Sequence, residues 1–326
     1  MKKVFKVSRR SILRISFDVK HCAFTDLCHF NGELFCCYRE ATDHLSADGV
    51  IKIMRLSLSG QVLFHQRISV TGADLRDPKL SITDKNQLLL LAYARYTNEN
   101  NQTQSTENLT WVSQTGDSWS SPTSLGLKFW WLWRVRYSLN HSLQTAYGFA
   151  YNRKANRIDL YSGDPLRKMH CVKQGALSLT EHKLGYPNES DLVIEDDGRI
   201  NALVRRDADS FSAQFGYSYP PYTRWQWHDL GEYIGGPVLY RLDSEYCLVA
   251  GRAWTGETMV TRLWKLAINT LQLIELDTLP SAGDNSYPGI VIVDNTLFVS
   301  YYSSHIDQRS QLYLASYSLV NNKPKP

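Results

Sequence analysis

The chain has 326 residues, 43% hydrophobic and 12% aromatic, and its 36 basic and 32 acidic side chains give a formal charge of +4. That is enough apolar material for a substantial core. Basic residues scattered along the whole chain argue against the concentrated positive stripe of a nucleic-acid binder. No stretch approaches the roughly 18 apolar residues of a membrane-spanning helix, so neither nucleic acid nor membrane is an expected partner.

The chain opens with MKKVFKVSRRSILRISFDV, which contains the β-compatible pieces KVFKV and ILRISF. It lacks the apolar run and small-residue cleavage site of a secretory leader, which points to the cytoplasm. Cys22, Cys28, Cys36, Cys37, Cys171 and Cys247 show no Cys-x-x-Cys spacing. They are expected as buried free thiols rather than disulfides or zinc ligands. Cys36 and Cys37, adjacent on one strand, point to opposite faces.

From there a unit recurs about every fifty residues: an opening residue, a short apolar strand, a polar turn, and a second strand ending in a charged or aromatic residue. The openings fall at Asp26, Asp77, Arg134, Glu189, Pro237 and Tyr287, in steps of 51, 57, 55, 48 and 50 residues. The turns are Asn31-Gly32, Asp84-Lys85-Asn86, Asn140-His141, Asp196-Asp197-Gly198, Asp243-Ser244 and Asp294-Asn295. The second strands read ELFCCYRE (33–40), QLLLLAYAR (87–95), QTAYGFAYN (144–152), RINALVRRD (199–207), YCLVAGRAW (246–254) and LFVSYYSSH (297–305). Between 97 and 108 lies the longest polar stretch, TNENNQTQSTEN, read as an exposed loop or a mobile lid.

Apolar runs of four to eight residues bounded by Gly, Asn, Asp or Ser, at a period near fifty, predict an all-β, six-bladed propeller of four-stranded antiparallel blades. One domain spans 1–326, with blades near 22–70, 75–125, 128–175, 186–232, 233–277 and 284–320 and a C-terminal tail from 321. An N-terminal strand is expected to complete the last blade and close the ring, which hides an edge.

In a propeller the inner strands surround a central channel, and loops at one end form the site. Arg39, Arg95, Arg206 and Arg252 fall eight or nine residues after their turns, with His305 in the same register. They offer forks of donors for a carboxylate or phosphate; the alternative is pairing with neighbours such as Glu40 or Asp207. Asp26, Asp77, Arg134, Glu189 and Tyr287 stand at the openings, although lone Asp and Tyr residues near turns are commonly caps. Trp130, Trp131 and Trp133, with Trp225 and Trp227, would stack on sugars if they face the channel, or else pack between blades. Alternation puts Trp131 and Trp133 on one face and Trp130 on the other. With no His-Glu-x-x-His, paired Cys-x-x-Cys, glycine fingerprint or P-loop, neither a metal nor a nucleotide cofactor is expected.

Four segments carry a resemblance: FTDLCHFNGELFCCYRE, DLRDPKLSITDKNQLLLL, NESDLVIEDDGRINALVRRD and GDNSYPGIVIVDNTLFVSYYSSH. Through them the chain resembles the sialidase superfamily of six-bladed propellers, particularly its bacterial sialidase-like branch. SQTGDSW (113–119) resembles a degenerate form of that family's Asp-box hairpin, and SLSGQVLF (57–64) is a weaker echo. The resemblance implies a retaining glycosidase with a tyrosine nucleophile. Tyr287 matches that nucleophile, Glu189 its glutamate partner, and Arg205 or Arg206 one arginine that binds the substrate carboxylate. The loop ATDHLSADG offers Asp43, His44 and Asp48 as acid/base, with Asp48 ahead of Asp43. Two departures stand out: Phe24-Thr25-Asp26-Leu27 replaces an Arg-Ile-Pro motif, and Gly235-Gly236-Pro237 stands where another arginine is expected. Arg39, Arg76, Arg134 and Arg252 remain to rebuild an anion site, together with Asp26, Asp77, Arg206 and His305 at the same mouth.

The expected function is therefore cleavage of a glycan, carrying an acidic or a neutral sugar. A sugar-binding propeller without turnover is the alternative, and a lyase using His305 or Tyr287 as base is a third reading. The expected partner is a glycan or small sugar.

Overall fold

The computed structural model describes residues 5–138 and 145–321; the predicted Asn140-His141 turn and residues 322–326 of the predicted tail lie outside them. The molecule is a six-bladed β-propeller. Blade one comprises His21–Phe30, Glu33–Ala41, Val50–Leu56 and Val62–Ile68. Blade two comprises Ala73–Ile82, Leu88–Thr97, Thr103–Ser113 and Thr123–Ser124. In blade three the innermost strand is split into Trp131–Leu132 and Arg136–Tyr137, both paired with Ala146–Asn152; Arg157–Asp164 and Lys168–Ser178 follow. Blade four is Pro187–Ile194, Ile200–Arg206, Gln214–Ser218 and Gln226–Asp229. Blade five is Gly235–Arg241, Tyr246–Trp254, Met259–Ala267 and Gln272–Leu279.

Blade six joins Asn285–Val293, Thr296–Ser303 and Gln311–Asn321 to the N-terminal strand Phe5–Arg14, which pairs antiparallel with Gln311–Asn321. The ring is closed as the leading β pieces predict. Ladder pairing satisfies an edge that would otherwise expose backbone donors and acceptors.

Local chemistry explains the hairpins. Asn31 and Gly32 both have positive φ and connect Phe30 to its partner Glu33, the two-residue turn that matches strand twist. Asn86, Gly198 and Asp294 supply left-handed residues at three other turns. In the Asp243 turn, the carboxylate accepts the N–H groups of Glu245 and Tyr246. The stretch predicted as a loop or lid at 97–108 is mostly strand. Only Asn98–Gln102 turn, because Thr106 and Asn108 alternate into the interior, where Asn108 is bonded to Trp130 and Leu132.

Adjacent sheets meet face to face. Phe30, Phe35 and Ile51 of blade one pack with Leu75, Leu88 and Leu90 of blade two, and Leu248 and Leu263 of blade five pack with Val299 and Tyr317 of blade six. Each such side chain, fully buried, contributes roughly 1.5–3 kcal/mol. Cys36 and Cys37 enter different clusters, as alternation requires. All six cysteines are free, but Cys171 is exposed rather than buried, since it lies toward the outer edge of blade three. Among the described residues no helix is long and apolar enough to cross a membrane.

One device recurs at the top of the inner strands. In five blades the ladder slips, so that two inner residues oppose one on the second strand: Phe24-Thr25, Asp77-Pro78, Asn188-Glu189, Gly236-Pro237 and Tyr287-Pro288. Blade three does the same at Arg134-Val135, between the Trp133 N–H bond to Phe149 and the Arg136–Tyr147 pair. Such bulges leave a residue outside the ladder and re-aim its side chain. Phe24, Asp77, Gly236 and Tyr287 have positive φ there.

Candidate active site

The bulges bring together residues that lie far apart in the sequence. Tyr287 Oη donates to Glu189 Oε1 at 2.7 Å, across 98 residues of sequence. Arg205, opposite the Glu189 bulge, reaches Tyr287 Oη at 3.1 Å and Glu189 Oε2 at 2.7 Å. The Gly236 N–H donates to the same Oε2 at 2.7 Å. Gly236 is required: a Cβ there would stand 2.6 Å from the Tyr287 ring. The position where an arginine was expected is thus filled by the tyrosine's own ring.

Burial, reinforced by the Glu189 charge, raises the Tyr287 phenol well above its ordinary value despite Arg205 and Arg252. Glu189 shows the opposite balance: burial pushes its carboxyl up, but Arg205 and the hydrogen bonds outweigh that and lower it. The resting pair is a neutral phenol hydrogen-bonded to a carboxylate, which is poised to take its proton. The Phe24 ring packs edge-on to Tyr287 with centroids 5.1 Å apart, the Trp133 and Tyr302 ring centroids are each 6.0 Å away, and the Arg252 guanidinium lies 5.2 Å from the Tyr287 ring centroid.

Asp77 occupies the bulge of blade two, on the blade alternating with those of Glu189 and Tyr287. It is buried, and Oδ1 has no hydrogen-bond partner among the described residues. Burial pushes its carboxyl up to about 6; Lys79, Arg76 and Arg39 oppose the rise and Glu189 adds to it. Tyr151 and Tyr287 in turn feel its charge. The folded state therefore holds this proton more tightly than the unfolded chain. The associated stability is complete below pH ~4 and is lost as pH rises through ~6. Asp77→Asn is expected to remove that slope and to stabilise the protein at pH ~7.5 by about 3 kcal/mol, at ~1.4 kcal/mol per pH unit. Urea unfolding of both proteins at pH ~5 and ~7.5 checks this, and an undiminished slope in the variant would refute it.

The remaining sequence candidates divide. Asp43 and Asp48 are engaged within their own loop. Asp43 accepts Leu45 N–H and Ser46 N–H, which lower its pKa. Asp48 accepts from Thr42, and hydrogen bonds from Ser46 and Thr42 overcome partial burial to hold it at about 2. His44 is the loop residue that reaches the mouth, its ring 5.1 Å from Phe24 and its Nδ1 2.6 Å from Asp284 Oδ2. Arg39, Arg76 and Arg95 converge on buried Asp74 at 2.9, 2.7 and 3.1 Å. Their other donors hold the carbonyls of Asp43, His44, Leu45 and Ser46, so these arginines clamp the loop.

Asp26 directly follows the bulge, whose re-aimed position is taken by Phe24. Its Oδ2 accepts from Arg134 at 2.7 Å and from Leu80 N–H, so the Asp26–Arg134 pair is an axial brace and Asp26 is not an opening residue. Arg206 turns away to Gly185 O and Asp209. Arg39, Arg206 and Arg252 do share one register position, opposite the residue before each bulge. In blade six Tyr302 takes that position; His305 lies beyond it, beside Ser303 and Tyr313. Arg95 is likewise displaced, with Tyr93 in its place. Of the tryptophans, buried Trp133 borders Tyr287. Trp131 stacks on Tyr93 at 4.0 Å, and Trp225 and Trp227 stack on each other between blades three and four.

Sequence reasoning missed Phe24, Tyr302 and Asp284, and also a groove of about 560 Å³ beside the pair, lined by Arg205, Phe211, Tyr233 and Trp254 among others. Phe211 and Trp254 are half exposed there. Trp254 closing the strand YCLVAGRAW was the available signal.

No family model matches the chain, and no curated protein matches it. Solved structures share its fold. A protein of unknown function from Dyadobacter fermentans superposes with a TM-score of 0.80 at 16% identity, covering 96% of this chain and 99% of that one. A Penicillium chrysogenum α-L-arabinanase complexed with arabinobiose gives 0.68 at 12% identity, covering 95% and 98%. Trypanosoma rangeli sialidase in complex with the inhibitor DANA gives 0.67 at 11% identity, covering 95% of this chain and 59% of that one. The fold is thus that of sialidase-like and arabinanase propellers.

Proposed function

We propose that the protein is a retaining glycoside hydrolase in which Tyr287 attacks the anomeric carbon. The observation that carries this reading is the 2.7 Å hydrogen bond from Tyr287 Oη to Glu189 Oε1. A phenol is a weak nucleophile at neutral pH, and a buried carboxylate in direct contact removes that handicap by accepting its proton as the new bond forms. Arg205 keeps Glu189 ionised until then. Asp77, whose Oδ1 is unpartnered among the described residues and whose pKa is pushed up to about 6, is the group suited to protonate the departing oxygen and later to deprotonate water. This assigns to Asp77 the role that the resemblance had given to Asp48 or Asp43.

The two arginines beside Tyr287 are already paired: Arg205 with Glu189 and Asp207, Arg252 with Asp284. Recognition therefore rests on hydrogen bonds and ring stacking more than on a set of free arginines. Trp254 and Phe211 offer faces for the sugars beyond the cleaved bond. That the similar structures include a sialidase with an inhibitor and an arabinanase with arabinobiose supports a glycan ligand.

The test is covalent trapping. Fluorinated glycosyl fluorides of acidic and neutral sugars are incubated with the protein, and peptides are mapped by mass spectrometry. A glycosyl adduct on Tyr287 is expected. An adduct on a carboxylate would replace the proposed nucleophile, and saturable binding with neither adduct nor turnover would favour a sugar-binding propeller.

A further inference from the structure

We infer that His21, His44 and Asp284 form a binding site for a first-row divalent metal ion of the zinc kind, at the rim of the mouth. The three residues come from separate parts of the chain: the first residue of blade one's inner strand, the loop that follows its second strand, and the approach to blade six's inner strand. His21 Nε2 lies 3.0 Å and His44 Nδ1 2.6 Å from the same oxygen, Asp284 Oδ2, and the three ligand atoms lie within 4.8 Å of one another. Two imidazole nitrogens and one carboxylate oxygen on one side leave the other coordination positions open, the donor set of borderline transition metals. Calcium and magnesium, which call for oxygen ligands, do not suit it.

The surroundings prepare the ligands. Asp284 Oδ1 is held by Tyr302 Oη at 2.8 Å and by Arg252 Nη2 at 3.1 Å, which orients Oδ2 toward the imidazoles as an outer shell does. His44 belongs to a loop that would otherwise be free, but the Asp74-bound arginines hold its carbonyl and those of its neighbours. The guanidinium of Arg252 disfavours an ion held by charge alone, which again selects one that bonds well to imidazole. His44 is half exposed, so the open positions face solvent. Phe24 separates this cluster from the reacting pair, its ring 5.1 Å from both His44 and Tyr287. An ion here would present its free positions to a sugar hydroxyl or carboxylate entering the mouth.

The inference is independent of turnover, and its test needs none. Protein freed of metal by chelation is titrated with Zn²⁺ by calorimetry and with Co²⁺ by visible absorption at neutral pH. Saturable binding of one ion is expected, with ligand-field bands from Co²⁺. His44→Ala, a change at a half-exposed position, is expected to weaken it by on the order of 100-fold, and Tyr302→Phe by about 10-fold. His305→Ala should bind as the parent does. Absence of saturable binding, or a His44→Ala protein that binds as tightly as the parent, would overturn the site.

Discussion

Tyr287→Phe is expected to lose turnover by on the order of 10³-fold or more, about 4 kcal/mol of barrier, on whichever glycan the trapping screen identifies. The phenyl ring remains to pack beneath Phe24 and beside Gly236, so the fold should persist. Glu189 loses one donor on Oε1 but keeps Arg205 and the Gly236 N–H on Oε2. One charge-assisted hydrogen bond is then at stake, roughly 1.5–3 kcal/mol, and relief from burying a phenol offsets part of it. The informative pattern is an intact melting transition with a dead enzyme. If Tyr287→Phe turns over at near the parental rate, the tyrosine is not the nucleophile.

Asp74→Ala is expected to be the most destabilising single change of a charged residue, costing about 3–5 kcal/mol. Asp74 is fully buried and bonds Arg39, Arg76, Arg95 and the Gly49 N–H. Removing it strands Arg39, itself fully buried, among two like charges. Because the same arginines grip the carbonyls of residues 43–46, the loss should also free that loop and move His44. Asp74→Asn, which keeps shape and one acceptor, should cost less. Chemical unfolding gives the magnitude, and limited proteolysis at 42–49 reads the loop. Cleavage no faster than in the parent would show that the clamp is not what holds it.

Part of this was legible in the residues. The fifty-residue period and the left-handed turn residues specify six similar sheets, because a two-residue Asn-Gly connection and an apolar second strand each have one economical arrangement. The Tyr287–Glu189 pairing followed from the resemblance. What escaped was register. A bulge changes which residue faces the axis without leaving a mark in composition, so counting polar openings selected Asp26 and passed over apolar Phe24. Function was also ambiguous where a residue type has two uses: Asp43 and Asp48 look alike as proton carriers or turn formers, and only the N–H groups of Thr42, Leu45 and Ser46 decide. The convergence on Asp74 was hidden likewise, since arginine spacing predicts a common rim but not the carboxylate that already occupies it.

The repeated slips in the inner strands have a consequence for how such a molecule can change. Each places one side chain outside the hydrogen-bonded lattice, so its identity is decoupled from the scaffold that carries it. Exchanging Phe24 or Asp77 alters the lining of the mouth while leaving the interstrand ladder unbroken, whereas Gly236 and Arg134 are tied to the Tyr287 ring and to Asp26. Positions free of such ties behave as sockets, and new specificity can be assembled there one blade at a time.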